Sequence, residues 1–162
     1  MTRISFTIPG SPVGKGRPRM SVRGGYAHAY TPEKTRTYEA RVKAVAKAAM
    51  KFMGIRQVPS APVRVSIVAR FEWPQGDLNA DGSLKEHKPG TKAAARVNDM
   101  KYARVVPGKP DIDNVVKAVL DALNGIAYQD DAQVSVLHAA KRWRDCDEER
   151  EPGVDVQIEW EE

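Results

Sequence analysis

Short runs in which apolar and polar residues alternate place the tightest limit on the fold of this chain. The alternation occurs at residues 3–8, 63–70 and 154–160, and residues 134–143 continue it less regularly. A period of two residues predicts β-strands that bury one face and expose the other. Such strands need a covering layer on their apolar face, and the rest of the chain must supply it.

Two segments with apolar residues at helical spacing are predicted to form that layer. The first begins with Thr31 as the helix cap and Pro32 in the first turn, and it ends at Gly54. The second runs over about 113–124 and stops at the following glycine. In 162 residues, the order β-α-β-α-β-β predicts a single α/β domain of α+β character. Its mixed sheet has about four strands and carries the helices on one face.

Two longer segments lack this periodicity. Residues 10–30 are rich in glycine, proline and basic residues, and we expect them to form a long mobile basic loop. Residues 74–109 form a polar and basic insertion, in which a short helix is predicted near 91–103. Loops of this length in a compact domain usually serve function.

The composition argues against several classes of protein. Cys146 is the single cysteine, so no intrachain disulfide forms, and the three histidines lie too far from it and from each other for a zinc motif: His28, His87 and His138. No apolar run approaches the roughly 20 residues of a membrane-spanning helix. The first residues lack the apolar core of a signal peptide, so we expect a soluble, cytoplasmic protein.

Charge is distributed unevenly along the chain. Residues 1–56 contain 12 Lys and Arg against 2 Asp and Glu, whereas residues 57–162 contain 14 against 19. A basic segment suits a polyanion such as DNA, and an acidic cluster suits cations. The residues predicted to bind DNA phosphates lie in the basic loop: Lys15, Arg17, Arg19 and Arg23. Tyr26 and Tyr30 follow them and either stack on an unpaired base, pack in the core or are simply exposed.

The acidic cluster surrounds the second predicted helix. Asp111 and Asp113 lie where that helix begins, and Asp130 and Asp131 follow it, in position to return beside its start. Carboxylates without His or Cys favour Mg²⁺ or Mn²⁺, and such ions activate water for phosphodiester hydrolysis. Lys117 is one turn from Asp113 and is placed to stabilise developing negative charge.

Each of these residues also has an ordinary structural interpretation. Aspartates at a helix start commonly cap free amides, and Lys117 pairs equally well with Asp113 and Asp121 along the helix. Asp130 and Asp131 also suit a solvated turn. From the residues alone, a metal site and a set of caps have about equal support.

The same segments resemble the RusA family of Holliday-junction resolvases, especially phage and prophage members. The resemblance rests on Pro110-Asp-Ile-Asp-Asn-Val-Val-Lys-Ala, Asp121-Ala-Leu-Asn-Gly and Asp130-Asp-Ala-Gln-Val. Phe6-Thr-Ile-Pro-Gly, Gly16-Arg-Pro-Arg and Tyr30-Thr-Pro add to it. Pro110 stands where some members have a basic residue, and the insertion at 74–109 is longer than in minimal members.

This resemblance implies a homodimeric, Mg²⁺-dependent endonuclease that resolves four-way DNA junctions by paired symmetric nicks during recombination and repair. Mn²⁺ is the expected substitute. The implied catalytic residues are Asp111, Asp113, Asp131 and Lys117, and Asp130 joins the three aspartates as a metal ligand. The alternatives are a non-catalytic, architectural DNA-binding module and a metal-dependent enzyme acting on RNA or small phosphoesters.

Overall fold

The computed structural model describes residues 1–56, 60–103, 106, 108–145 and 151–161. Cys146 and Arg104 lie outside these ranges. The described residues form six strands and three α-helices. In chain order, these are β1 (Thr2–Pro9), β2 (Arg19–Arg23), β3 (Tyr26–Tyr30), α1 (Glu33–Phe52), β4 (Val63–Phe71), α2 (Lys92–Ala103), α3 (Ile112–Leu123), β5 (Val134–Trp143) and β6 (Gly153–Trp160).

Four strands form the main sheet in the order β1-β6-β4-β5. β6 pairs antiparallel with both β1 and β4, whereas β4 and β5 are parallel. The predicted mixed sheet of four strands is therefore confirmed. The parallel pair requires a crossover between its two strands, and the chain segment that contains α2 and α3 provides it.

Alternate side chains of β1, β4 and β6 are buried in one continuous core, as the period of two predicts. α1 contributes Tyr38, Val42 and Ala46 to that core, and α3 contributes a stripe of small and β-branched residues that includes Val115 and Val119. α1 and α3 also contact each other. Both helices thus cover the same face of the sheet, which fixes the direction of α3 relative to the strands.

The start of α1 differs from the prediction by one position. Pro32 is the capping residue, no side chain caps the helix, and Glu33 is the first helical residue. The hydroxyl that forms a hydrogen bond near the start of α1 belongs to Thr35 and not to Thr31. Thr35 is buried and accepts a hydrogen bond from the Gly16 amide at 3.0 Å. This bond joins the first turn of α1 to residues 10–30, which we call the basic segment.

The prediction of a loop over residues 10–30 is wrong for the second half of that segment. Residues 19–30 form a hairpin, β2–β3, that is a separate two-stranded sheet. Gly24 and Gly25 form its turn with φ of +61° and +82°, the two positive values that a tight two-residue hairpin turn requires. The Gly-Gly pair between two alternating runs is the signal that a reading of this segment as a loop overlooks.

The insertion at 74–109 contains α2, which confirms the helix predicted near 91–103. Asp77 is almost completely buried, forms an ion pair with Arg96 of α2 and lies 3.5 Å from the His87 Nε2 atom. Trp73 stacks on Trp143 at 5.2 Å between ring centroids, beside the start of the insertion. In the described residues, no helix is both long and apolar enough to cross a membrane.

Candidate active site

The start of α3 presents three of the predicted site residues to solvent. Asp111 occupies the capping position with extended backbone, and Asp113 lies in the first turn. Lys117 follows one turn later, and all three side chains are exposed. The buried stripe of α3 occupies the opposite side of the helix, so the hydrophobic packing that fixes α3 also orients these polar groups outward.

The Asp111 carboxylate does not act as a helix cap. No side-chain hydrogen bond caps α3, although Asp111 stands at the position where aspartate normally provides one. Within the described ranges, no hydrogen bond or ion pair engages the side chains of Asp111, Asp113, Lys117 or Asp131. Their oxygens and ammonium group are therefore available to a ligand.

Asp130 and Asp131 have different roles although they are adjacent. The Asp130 carboxylate accepts a hydrogen bond from the Ala132 amide at 2.8 Å and caps a short 3₁₀ turn at 131–133. Gln133 completes a capping box by accepting from the amides of Gln129 and Asp130. Asp130 is thus partly committed to local structure, and Asp131 is the less constrained carboxylate of the pair.

The carboxylates of Asp121, Asp130 and Asp131 act together on the buried side chain of Tyr128. Its ring is buried, and its hydroxyl donates to the Leu120 carbonyl at 3.2 Å. Burial raises the pKa of Tyr128, and the negative charges of Asp131, Asp121 and Asp130 raise it further. These three carboxylates therefore create a negative potential beside the second half of α3.

Lys15, which the sequence predicts to bind DNA, lies beside these carboxylates. Its ammonium pairs with Asp121 and lies 3.1 Å from Glu39 of α1. Burial opposes its charge, but the bonds and attraction of Asp121 and Glu39 outweigh that effect and raise the pKa of Lys15. Sequence inspection misses this contact, because it joins positions 106 residues apart and local spacing carries no sign of it.

Backbone contacts hold the basic segment against the start of α3. The Lys15 amide donates to the Asn114 carbonyl at 2.8 Å. A Cβ atom at Gly14 would lie 2.8 Å from Pro110 Cβ and 3.2 Å from Asn114 Cβ, so only glycine permits this approach. The basic segment consequently passes close to Asp111 and Asp113 in the chain region of Pro110 and Asn114. The Arg17 and Arg19 side chains that follow are exposed.

Asp111 and Asp113 at the start of α3 and Asp130 and Asp131 after it are not assembled into one ligand cluster among the described residues. In the part of the chain that the structure describes, no three His, Cys, Asp or Glu side chains are arranged to hold a metal ion. Asp113 and Asp121 are eight residues apart on α3, a rise of about 12 Å at helical spacing. The donor chemistry still fits a hard divalent cation, because the free carboxylates offer oxygen ligands and little else.

Comparison with known proteins identifies the family of the chain. The family model described as Endodeoxyribonuclease RusA matches residues 9–159. The protein YqaN of Bacillus subtilis (strain 168) is 33% identical over 158 residues, which cover 98% of this chain and 96% of YqaN. With a match that includes the basic segment, α3 and the acidic turn alike, the chain belongs to the RusA family of endodeoxyribonucleases, which resolve Holliday junctions.

Proposed function

We propose that this protein is a Mg²⁺-dependent endonuclease that resolves four-way DNA junctions by paired symmetric nicks in recombination and repair. The observation that carries the proposal is the uncapped start of α3. Asp111 and Asp113 are exposed and free of protein partners there, next to the basic segment that begins at Gly14. An aspartate that served only as a cap would use its carboxylate on the helix amides.

In this proposal Asp111, Asp113 and Asp131 bind the metal, and Asp130 contributes with the oxygen that its capping bond leaves free. When bound, the divalent cation supplies an activated water and neutralises charge on the scissile phosphate. Mn²⁺ should substitute for Mg²⁺, because it accepts the same oxygen ligands. Lys117 stabilises the negative charge that develops on the phosphate oxygens, since its ammonium is exposed and unpaired in the described structure.

The DNA is held by the basic segment in this proposal. Arg17 and Arg19 are exposed, and residues 10–30 contain no acidic residue that would repel phosphate. Arg23 belongs to the same segment, and Lys15 supports it through its contacts with Asp121 and Glu39. Arginine forms two-pronged bonds with phosphate, which position the backbone without reading sequence.

We further propose that the chain acts as one nuclease domain in a homodimer in the cytoplasm. A two-fold symmetric dimer presents two identical sites to a junction whose opposing strands are related by similar symmetry. Two sites related in this way nick opposing strands at equivalent positions. Sedimentation of the free protein and of its junction complex would measure the number of subunits.

The central test is cleavage of a synthetic four-way junction by the wild type and by Asp113→Asn, each with Mg²⁺ or with EDTA. We expect paired symmetric nicks only for the wild type with Mg²⁺, and at least unchanged junction binding by the variant, because a negative charge near phosphate is removed. Asp99→Asn on α2 is the matched control and should cleave normally, since Asp99 is exposed and is not one of the proposed metal ligands.

Two results would contradict the proposal. Tight junction binding with no nicks in Mg²⁺ or Mn²⁺ would favour an architectural DNA-binding module. Cleavage of linear duplex or RNA at the same rate as the junction would retain the nuclease chemistry but exclude the junction as its preferred substrate.

A further inference from the structure

The β2–β3 hairpin has two faces of different chemistry. Directly paired residues of an antiparallel hairpin share a face, and the register pairs Arg19 with Tyr30, Ser21 with His28, and Arg23 with Tyr26. The described side chains of this set define the ring face: Arg19, Ser21, Tyr26, His28 and Tyr30. The other pairs, Met20 with Ala29 and Val22 with Ala27, form a small aliphatic face.

Neither tyrosine of the ring face is a core residue. Tyr26 is 75% exposed and Tyr30 is 48% exposed, and the hairpin pairs with no strand of the main sheet. This excludes the interpretation of these tyrosines as core packing that the sequence left open. An isolated two-stranded hairpin gains little stability by itself, so exposed aromatic residues on it favour a binding role.

The spacing of the rings matches stacked bases. Tyr26, His28 and Tyr30 alternate along β3, so their side chains project from points about 6.8 Å apart. This is about twice the 3.4 Å separation of successive bases in a DNA strand. One unpaired base therefore has room between two successive rings, in contact with both.

The positive charge of residues 10–30 favours a nucleic acid as the ligand of the ring face. Residues 10–30 carry four basic residues and no acidic ones: Lys15, Arg17, Arg19 and Arg23. A positively charged backbone track combined with aromatic rings is the usual arrangement for binding single-stranded nucleic acid. In a four-way junction, unpaired or easily unpaired bases are found at the branch point.

We propose that the ring face of the β2–β3 hairpin is a binding site for unpaired DNA bases, and that it stacks on nucleotides at the branch point. The choice of a junction as the DNA rests on the proposed function. The stacking itself requires only unpaired bases beside a phosphate backbone. The hairpin thus provides preference for branched DNA, whereas Arg17 and Arg19 provide affinity for any DNA.

Photocrosslinking tests this assignment directly and needs no catalysis. A junction with 5-iododeoxyuridine at the branch nucleotides is bound by the wild-type protein in EDTA, irradiated and digested with trypsin. The ring face of β3 falls on peptide 24–34 and the aliphatic residues of β2 fall on peptide 20–23. We expect crosslinks on peptide 24–34, and far fewer when the label is placed in the middle of an arm.

Affinity measurements provide the second readout. Tyr26→Leu with Tyr30→Leu should weaken junction binding about tenfold or more, with little change for a linear duplex of the same length. The double Tyr→Phe variant should retain binding, because it keeps both rings. Met20→Ser lies on the opposite face of the same hairpin and should also bind normally.

Each outcome has a distinct meaning. Crosslinks at Met20 or Val22 without crosslinks at the rings of peptide 24–34, equal crosslinking from the arm label, or unchanged junction preference in the double Leu variant would overturn the stacking assignment. If crosslinks form on peptide 24–34 but Mg²⁺ never produces nicks, the stacking assignment stands and the proposed nuclease function fails. Nicking without these crosslinks gives the reverse conclusion.

Discussion

At the scale of single residues, two lysines near α3 have opposite surroundings. The Lys117 ammonium is exposed, and no described side chain pairs with it. Lys15 is enclosed by Asp121 and Glu39. Both were candidates for functional roles on the basis of charge alone. The exposed Lys117 is consistent with the reaction role proposed for it, whereas the ion pairs of Lys15 hold the basic segment against the fold.

Replacement of Lys117 by alanine should reduce the cleavage rate about a hundredfold and change junction affinity less than threefold. A group that stabilises charge only in the transition state affects the rate more than binding. Single-turnover cleavage and an equilibrium binding titration in EDTA provide the two numbers. Lys47→Ala on the exposed side of α1 is the control. Equal losses of rate and affinity would show that Lys117 is an ordinary phosphate contact.

Replacement of Lys15 by methionine should lower the free energy of unfolding by about 1 kcal/mol or less near neutral pH. Because the pKa of Lys15 in the folded protein is raised above the ordinary lysine value of 10.5, its contribution is complete below that pH. The contribution should disappear as the pH rises through the folded pKa. Urea unfolding from pH 7 to 11 measures the difference, with Lys43→Met as the exposed control on α1. A difference that disappears well below pH 10.5 would rule out these ion pairs as its source.

At the scale of elements, periodicity predicts those parts of the fold that face the core. β1, β4, β6, α1 and α3 are each buried on one side, and that burial leaves a period in the sequence. The β2–β3 hairpin has the same alternation, but both of its faces are exposed, so apolar content does not reveal it. Its only clear signal is the Gly-Gly turn.

The candidate site is predictable to the same limited degree. Asp111, Asp113 and Lys117 follow from their positions at the start of a helix. The roles of Lys15, Glu39 and Tyr128 depend on contacts between distant parts of the chain, which one sequence does not display. Asp130 is a local cap, and its capping box with Gln133 is a sequence pattern that the metal interpretation obscures.

The insertion offers a test at this scale, because one buried carboxylate ties it to α2. Arg96→Met leaves the buried Asp77 carboxylate without its cationic partner and should cost about 2–3 kcal/mol of unfolding free energy. Asp77→Asn should cost less, since the half-exposed Arg96 side chain can be hydrated. The double variant should recover part of the loss. Urea unfolding checks the order, and a larger loss for Asp77→Asn would contradict it.

At the scale of the whole molecule, opposite charges are separated along the chain but are adjacent in space. The basic N-terminal segment lies against the start of α3, where the acidic half begins its functional cluster. In the proposed function, the exposed Arg17 and Arg19 side chains bind DNA phosphates near these carboxylates. Such an arrangement draws DNA toward acids that would otherwise repel it.

This arrangement predicts a measurable salt dependence. Arg17→Ala with Arg19→Ala should reduce the slope of log affinity against log salt by about 1.8, because each phosphate contact contributes about 0.9. Lys88→Ala with Lys92→Ala, in the exposed part of the insertion, should change the slope much less. Fluorescence anisotropy titrations at salt concentrations from about 50 to about 300 mM give both slopes. Equal changes would extend the DNA footprint over the insertion.

The position of β6 has a consequence for synthesis of the protein. β6 lies between β1 and β4 in the sheet, and Thr2 of β1 pairs with Trp160 of β6. Until residues 153–160 have left the ribosome, β1 has no partner in the main sheet and one edge of β4 stays open. The basic segment, by contrast, emerges before β6. A nascent chain can therefore attract nucleic acid before its main sheet closes, and the fold is complete only after β6 has emerged.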